Sequence, residues 1–329
     1  MTVGEERQAP TRATSGDRQP ATGTNGPHRA GFACLVGRPN TGKSTLTNAL
    51  VGTKVAITSS RPQTTRHTIR GVITRPDAQL VLVDTPGLHR PRTLLGERLN
   101  ALVRATLAEV DVIGVCLPAD EKIGPGDRFI AAELARLPQT PVLALVAKAD
   151  KVRKAELAEQ LLAVERLGRD VGPDFAEIVP VSAVTGEQVD VVADLLIAQL
   201  PAGPPLYPDG ELTDEPEQVM VAELIREATL EGVHDELPHS LAVIVDEMGL
   251  REDRPSDQPL LDIYATVFVE RPSQKAIVIG AGGSRLRAVG IEARRHIEAL
   301  LGTPVYLDLH VTVAKNWQRD PKQLRKLGF

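Results

Sequence analysis

The sequence predicts two domains: an α/β domain on a mostly parallel sheet with helices on both faces, followed by a smaller α+β domain. Three observations predict this. From Gly31 to about residue 200, short apolar runs alternate with amphipathic helical segments, the pattern of strands whose connecting helices cover both faces of a sheet. The alternation stops at Pro201-Ala-Gly-Pro-Pro-Leu-Tyr-Pro-Asp-Gly210, where four prolines fall within eight residues, a composition that suits a linker. Beyond it the charge reverses: residues 271–329 carry eleven Lys/Arg against Glu292, Glu298, Asp308 and Asp320, a local +7 that leaves −12 for the rest of a chain of net charge −5.

Taken in order, residues 1–30 are expected to form a disordered tail, because the first 29 contain no Leu, Ile, Phe, Trp or Tyr and so cannot bury apolar surface. In the first domain, residues 31–200, strands are expected near 32–37, 68–75, 79–84, 111–117, 141–147 and 177–181. Helices are expected near 44–51, 95–108, 127–137, 154–167 and 188–200. Residues 201–216 form the linker, read as flexible or semi-rigid, and 217–329 the second domain. There, 217–230 reads as an amphipathic helix, 240–247 and 260–270 as strands, and 274–279 as a short third strand. A helix opens after Gly283, and Val305 to Val313 reads as a further strand.

At 329 residues, 42% hydrophobic and 25% charged, the chain has a globular balance with room for two cores, and a fibrous protein is excluded. Cys34 and Cys116 lie inside apolar runs that read as buried strands, which favours a core role over a disulfide or metal pair and suits a reduced, cytoplasmic setting. No apolar run approaches the ~18 residues of a membrane span, and the first thirty residues lack the apolar centre of a signal peptide, so the chain reads as neither inserted nor secreted.

Directly after the apolar run Phe32 to Val36 comes Gly37-Arg-Pro-Asn-Thr-Gly-Lys-Ser-Thr45, which fits G-x-x-x-x-G-K-[ST]. A glycine-rich turn from strand into helix lets consecutive backbone N–H groups close around phosphate oxygens at the positive end of the helix dipole. The whole loop, Gly37, Arg38, Pro39, Asn40, Thr41, Gly42, Lys43, Ser44 and Thr45, is thus a candidate nucleotide contact. Lys43 would face the β- and γ-phosphates and Ser44 would hold Mg²⁺. Asp84, Thr85, Pro86, Gly87 and Leu88 follow the strand Leu80 to Val83, which places Asp84 at a strand's C-terminal end, where its carboxylate can bind Mg²⁺ through water, and lets the Gly87 N–H meet the γ-phosphate. Between the two, Gln63 to His67 is a polar segment suited to a switch, with Thr65 as the hydroxyl that completes the metal shell when a γ-phosphate is present. Ser44, Thr65 and Asp84 are the expected metal set, and Lys43, Thr65 and Gly87 the expected catalytic one.

Base identity is expected at Ala147-Lys-Ala-Asp150 and Val181-Ser-Ala183, each at the end of an apolar strand. The Asp150 carboxylate would accept from guanine N1–H and N2–H₂, a donor pair that adenine lacks. Lys148 would lie along the base and the N–H of Ala183 would point at guanine O6, with Ser182 beside it in the nucleotide-binding set, so GTP and GDP are the expected ligands.

These stretches together resemble translation-factor-related, Ras-like GTPases, and GRPNTGKSTLTNALVG, QTTRH and DTPGLH resemble the Era family of bacterial GTPases in particular. Two positions depart from the wider pattern. Ala147 stands where the fourth motif normally has an Asn that bonds the base and braces the phosphate loop, at a cost of about 1–3 kcal/mol in nucleotide affinity. Leu88 stands where Ras-like enzymes have a water-orienting Gln, which implies slow intrinsic hydrolysis. The resemblance also implies a potassium ion beside the phosphates with Asn40 as a ligand; a loop residue capping its own turn is the other reading of Asn40.

In the second domain, Gly280-Ala-Gly-Gly283 opens a helix whose apolar positions Leu286, Val289, Ala293, Ile297 and Leu300 recur at three and four, leaving Arg287, Arg294 and Arg295 to face elsewhere. A G-x-x-G loop heading a basic helix resembles the KH domain, which clamps single-stranded RNA with backbone groups. The resemblance implies an α-β-β-α-α-β order and RNA contacts at Gly280, Ala281, Gly282, Gly283, Arg285, Arg287 and Lys315. Trp317 reads either as a base-stacking residue or as a packing anchor. The family resemblance further implies an assembly factor for the small ribosomal subunit that binds 16S rRNA near its 3′ end. It implies a monomer with no DNA partner, cytoplasmic, with peripheral contact to the inner face of the membrane. An RNA-binding protein with a degenerate, non-hydrolysing nucleotide site is the rival reading.

Overall fold

The computed structural model describes residues 27–58, 65–66, 68–88, 91, 93–137, 139–231, 240–255 and 257–328. Gln63, Thr64 and His67 of the expected switch, and the first 26 residues of the expected tail, lie outside them.

The first domain runs β1 (Arg29–Val36), α1 (Lys43–Val51), β2 (Ile69–Arg75), β3 (Ala78–Asp84), α2 (Leu94–Glu109), β4 (Val112–Pro118), α3 (Pro125–Leu134), β5 (Val142–Ala147), α4 (Lys154–Val171), β6 (Phe175–Val181) and α5 (Val189–Ala198). The sheet order is β2-β3-β1-β4-β5-β6, with β2 antiparallel to β3 and all other pairs parallel. β3, β4 and β5 are buried along their whole length because helices cover both faces. Val103 and Leu107 of α2, Ile130 of α3 and Val164 and Leu167 of α4 pack one face. Leu46 and Leu50 of α1 and Val192 and Leu196 of α5 pack the other. Both cysteines are free and buried, their thiols pushed up to about 12 by burial, which bears out the core role.

The second domain runs α6 (Glu217–Leu230), β7 (Ala242–Leu250), β8 (Leu261–Val269), α7 (Pro272–Ile279), α8 (Ser284–Leu301), β9 (Val305–Val313) and α9 (Pro321–Lys326). Its sheet, β7-β8-β9, pairs β7 antiparallel and β9 parallel to β8. Val221, Leu224 and Ile225 of α6 and Val289, Ala293 and Ile297 of α8 close over alternate residues Ile263, Ala265 and Val267 of β8. The strand expected at 274–279 is corrected: the segment is α7. Pro272 presets helical φ in the first turn, and the Gln274 side chain accepts the N–H groups of Glu270 and Arg271, each at 2.9 Å. The G-x-x-G loop therefore follows a helix and not a strand.

Two boundaries also differ from expectation. Arg29 and Ala30 belong to β1, and His28 exchanges hydrogen bonds with Gly203, so the end of the expected tail is held by the start of the linker. The linker is itself fastened to the sheet edge. The buried Gln79 side chain accepts from Leu206 N and Tyr207 N at 2.6 and 2.8 Å and donates to Tyr207 O at 3.0 Å, while Val72 N donates to Leu212 O at 2.9 Å.

Candidate nucleotide site and RNA groove

The C-terminal ends of β1, β3, β5 and β6 lie along one edge of the sheet, where the parallel packing brings four sequence-distant loops together. After β1, the phosphate loop turns through Gly37, Asn40 (φ 65°) and Gly42 (φ 95°) into α1. A Cβ at Gly37 would come within 2.7 Å of Cys116 O and Thr41 Oγ1, so glycine is required for the loop to seat against β4. Thr41 donates to Arg38 O at 3.0 Å, and buried Lys43 donates to Arg38 O at 2.8 Å and to Gly37 O at 3.3 Å. Burial lowers the Lys43 pKa, and Asp84 pulls it back up. A phosphate against this amine would supply the charge partner that burial makes it want.

The expected metal set is brought together. Ser44 Oγ lies 2.7 Å from Asp84 Oδ2 and 3.0 Å from Thr65 Oγ1, and Thr65 Oγ1 lies 3.2 Å from the same carboxylate oxygen. Asp84 Oδ1 is buried with no hydrogen-bond partner among the described residues, and burial raises the carboxyl's pKa. One carboxylate and two hydroxyls make a hard oxygen set, which fits Mg²⁺ with its retained waters and not a metal that prefers nitrogen or sulfur. Thr85 fixes the turn by donating to Leu35 O at 2.9 Å. Pro86 leads to Gly87, which packs on the phosphate loop so closely that a Cβ would fall 2.8 Å from Pro39 N. The side chain of Leu88, a residue expected at the nucleotide, is 2% exposed and lies in the core cluster with Val36 and Val83.

On the base side, Gly42, Thr45, Ala147, Lys148, Asp150, Ala183 and, missed by sequence reasoning, Lys151 and Val184 line one pocket. Ser182, fully buried, donates to Asp150 Oδ1 at 2.6 Å and so orients that carboxylate, while Lys148 takes a left-handed conformation (φ 59°) at the end of β5.

In the second domain, Gly280 (φ 73°), Gly282 (φ 57°) and Gly283 (φ 77°) bend the chain between α7 and α8, with Ala281 and Gly282 exposed. A groove beside the loop is lined by Gly283, Leu286, Arg287, Gly290, Ile291, Arg294, Leu307 and Leu309. Lys315 is exposed just past β9 and does not line that groove. Arg285 has another job: it donates to the carbonyls of Thr229 at 3.3 Å and Glu231 at 2.6 Å, closing the C-terminus of α6. Trp317 is a packing anchor. It has no exposed area, donates to Ser240 O at 2.9 Å, and packs with Leu95 and Leu99 of α2 and Leu324 and Leu327 of the second domain.

Part of the contact between domains passes through the expected switch segment. Arg66, next to Thr65, is 1% exposed, donates to Leu241 O and stacks its guanidinium 5.6 Å from the Trp317 ring centre. Ile57 joins the second domain's core, Lys54 pairs with Glu227 at 2.5 Å, and Thr58 N donates to Glu227 at 2.8 Å. Nothing local in a polar segment signals that one arginine of it will be buried in another domain.

Comparison with known proteins agrees with this geometry. A family model described as 50S ribosome-binding GTPase matches residues 32–148, and a KH domain model matches residues 236–318. The GTPase Era of Streptomyces coelicolor is 72% identical over 302 residues, covering 92% of this chain and 95% of that one. A crystal structure of Era in complex with MgGDPNP and nucleotides 1506–1542 of 16S ribosomal RNA superimposes with TM-score 0.86 at 36% identity, covering 92% of this chain and 99% of that one. A variant of Aquifex aeolicus Era bound to GDP·AlF4⁻ superimposes with TM-score 0.85 at 35% identity, covering 91% and 99%. With that identity over nearly the full length of both chains, and with a phosphate loop and a KH-type groove in one fold, this chain belongs to the GTPase Era family.

Proposed function

We propose that this chain is a GTP-hydrolysing assembly factor of the small ribosomal subunit that binds 16S rRNA near its 3′ end through the KH groove, under control of the bound nucleotide. The observation that carries the coupling is Arg66, which sits beside the metal-set hydroxyl of Thr65 and is buried against Trp317 and Leu241 of the RNA-binding domain. A switch that reorders around a γ-phosphate would move that arginine, so the GTP state favours RNA binding and RNA favours the GTP state by the same factor. Mg²⁺, when bound, neutralises phosphate charge in the transition state. The chain supplies Lys43 at the phosphates, the Gly87 N–H at the γ-phosphate and the oxygens of Ser44, Thr65 and Asp84 at the metal. With Leu88 in the core, no side chain at that position orients water, and intrinsic hydrolysis is slow. Asn40, at a left-handed position in the phosphate loop, supports a potassium ion beside the phosphates. Among the described residues no helix is long and apolar enough to cross a membrane; a peripheral contact and a monomeric state complete the proposal.

Phosphate release from GTP and from ATP, with and without a 3′-terminal 16S rRNA segment, tests this. GTP-selective turnover raised by the RNA is expected. RNA binding without turnover would favour the degenerate-site reading, to which Ala147 and the buried Leu88 lend weight.

A further inference from the structure

Ala147 offers only a methyl group to the phosphate loop, 3.9 Å from the direction in which a Cβ on Gly42 would point. A methyl cannot hydrogen-bond, so the end of β5 does not brace that loop through its side chain. The brace comes from the other direction. Arg38, inside the phosphate loop, reaches the first turn of α3 and the segment before it: Nε lies 2.7 Å from Asp127 Oδ1 and Nη2 lies 2.9 Å from Glu121 Oε2. The Asp127 side chain is 1% exposed, and its second oxygen accepts the Gly124 N–H at 2.8 Å, which fixes the carboxylate. The same segment holds the base side, with Lys148 Nζ 3.6 Å from Asp120 and 3.9 Å from Glu121 and Lys151 Nζ 3.6 Å from Asp120. It is anchored from below by buried Gln160, which donates to Pro118 O at 3.0 Å and Glu121 O at 2.9 Å. Gly126 makes the reach feasible, since a Cβ there would come within 2.6 Å of Arg38 Cδ.

We propose that Arg38, Asp127 and Glu121 form a brace that positions the phosphate loop relative to Lys148 on the base side, substituting for the hydrogen bonds that residue 147 cannot make. Arg38 and Asp127 are positioning residues. The inference rests on the nucleotide-site assignment above. The exposed Glu121 arm contributes little, whereas the Arg38–Asp127 bond is charge-assisted and has one buried partner. Because the brace holds both ends of the nucleotide pocket and does not depend on the γ-phosphate, its loss weakens GDP and GTP equally.

The test is fluorescent-GDP and GTP-analogue affinity of the full chain for Arg38→Gln, Asp127→Asn and Ala147→Asn, and for each of the first two combined with the third. Each brace variant alone is expected to weaken both nucleotides roughly 10-fold. An amide at 147 restores a brace from the β5 side, so in the Ala147→Asn background the same variants cost markedly less. Arg38→Gln leaves the Asp127 bond to Gly124 intact, so a loss shared by both variants and rescued by Ala147→Asn is not a consequence of an uncapped α3. Lys43→Ala separates this inference from the site assignment. If Lys43→Ala binds nucleotide as wild type does, the site assignment fails. If Lys43→Ala abolishes binding while the brace variants bind normally, or their losses add to the effect of Ala147→Asn without rescue, the site stands and the brace is overturned.

Discussion

Arg66→Ala removes the one switch side chain that is buried in the RNA-binding domain among the described residues of the switch, and its effect follows from opposing terms. The guanidinium gives a charge-assisted hydrogen bond to Leu241 O, about 1.5–3 kcal/mol, and a desolvated cation–π contact with Trp317, about 2 kcal/mol. Against these stands the cost of burying the charge. Burial, then the neighbouring Arg226 guanidinium, pushes Arg66 down to about 9, so the docked state holds this charge at a penalty. The penalty cancels a large part of the gain, leaving about 1–2 kcal/mol, a 5- to 30-fold shift away from the docked arrangement. Trp317 is the single tryptophan of the chain and lies at this junction, so its emission reads docking directly. Arg66→Ala should red-shift the emission and raise acrylamide quenching, and should shrink any emission difference between the GDP and GTP-analogue states. Emission and quenching identical to wild type in both nucleotide states would refute the reasoning, because Arg66 would then hold nothing together.

Ser182→Ala removes the hydrogen bond that orients Asp150; guanine affinity should fall 5- to 150-fold, about 1–3 kcal/mol, with ATP binding unchanged, and competition of GTP against ATP checks it. Leu88→Gln should not speed hydrolysis although Ras-like enzymes carry Gln there. The side chain is in the core, so an amide costs about 1–3 kcal/mol of stability, seen as a lower melting temperature at an unraised turnover; faster turnover would contradict the core placement. Replacing Ala281 and Gly282 with Asp places carboxylates on the exposed tip of the G-x-x-G loop, and RNA binding together with any RNA stimulation should disappear while basal GTP hydrolysis persists; retained RNA affinity in a filter-binding or anisotropy assay would remove the loop from the interface.

The sequence was legible wherever function depends on consecutive residues. The phosphate loop works through adjacent backbone N–H groups, so its pattern of glycines and Lys43-Ser44 is written in one stretch, and the same holds for Asp84 to Gly87, for the base-side motifs and for Gly280 to Gly283. The parallel sheet was legible because strands buried on both faces are continuous apolar runs between amphipathic helices. The 274–279 segment misled because a short apolar run has no period long enough to separate strand from helix, and the deciding signal was the Pro272 and Gln274 cap at its start. The direction of the Leu88 side chain was not legible, because proximity in sequence to Gly87 does not fix which way a side chain turns.

By itself the sequence determined which chemistry the chain carries and the order of its elements, since composition, periodicity and contiguous motifs are local properties. Only the tertiary structure decided that Arg66 crosses into the other domain, that Gln79 fastens the linker, that Ser182 aims Asp150, and that Arg38 of the phosphate loop pairs with Asp127. Each of these joins residues separated by 32 to 175 positions. A single polar side chain leaves no periodic trace of its partner; what selects each pairing is that folding brings the two groups within reach and buries at least one of them, a condition that exists only in the folded chain.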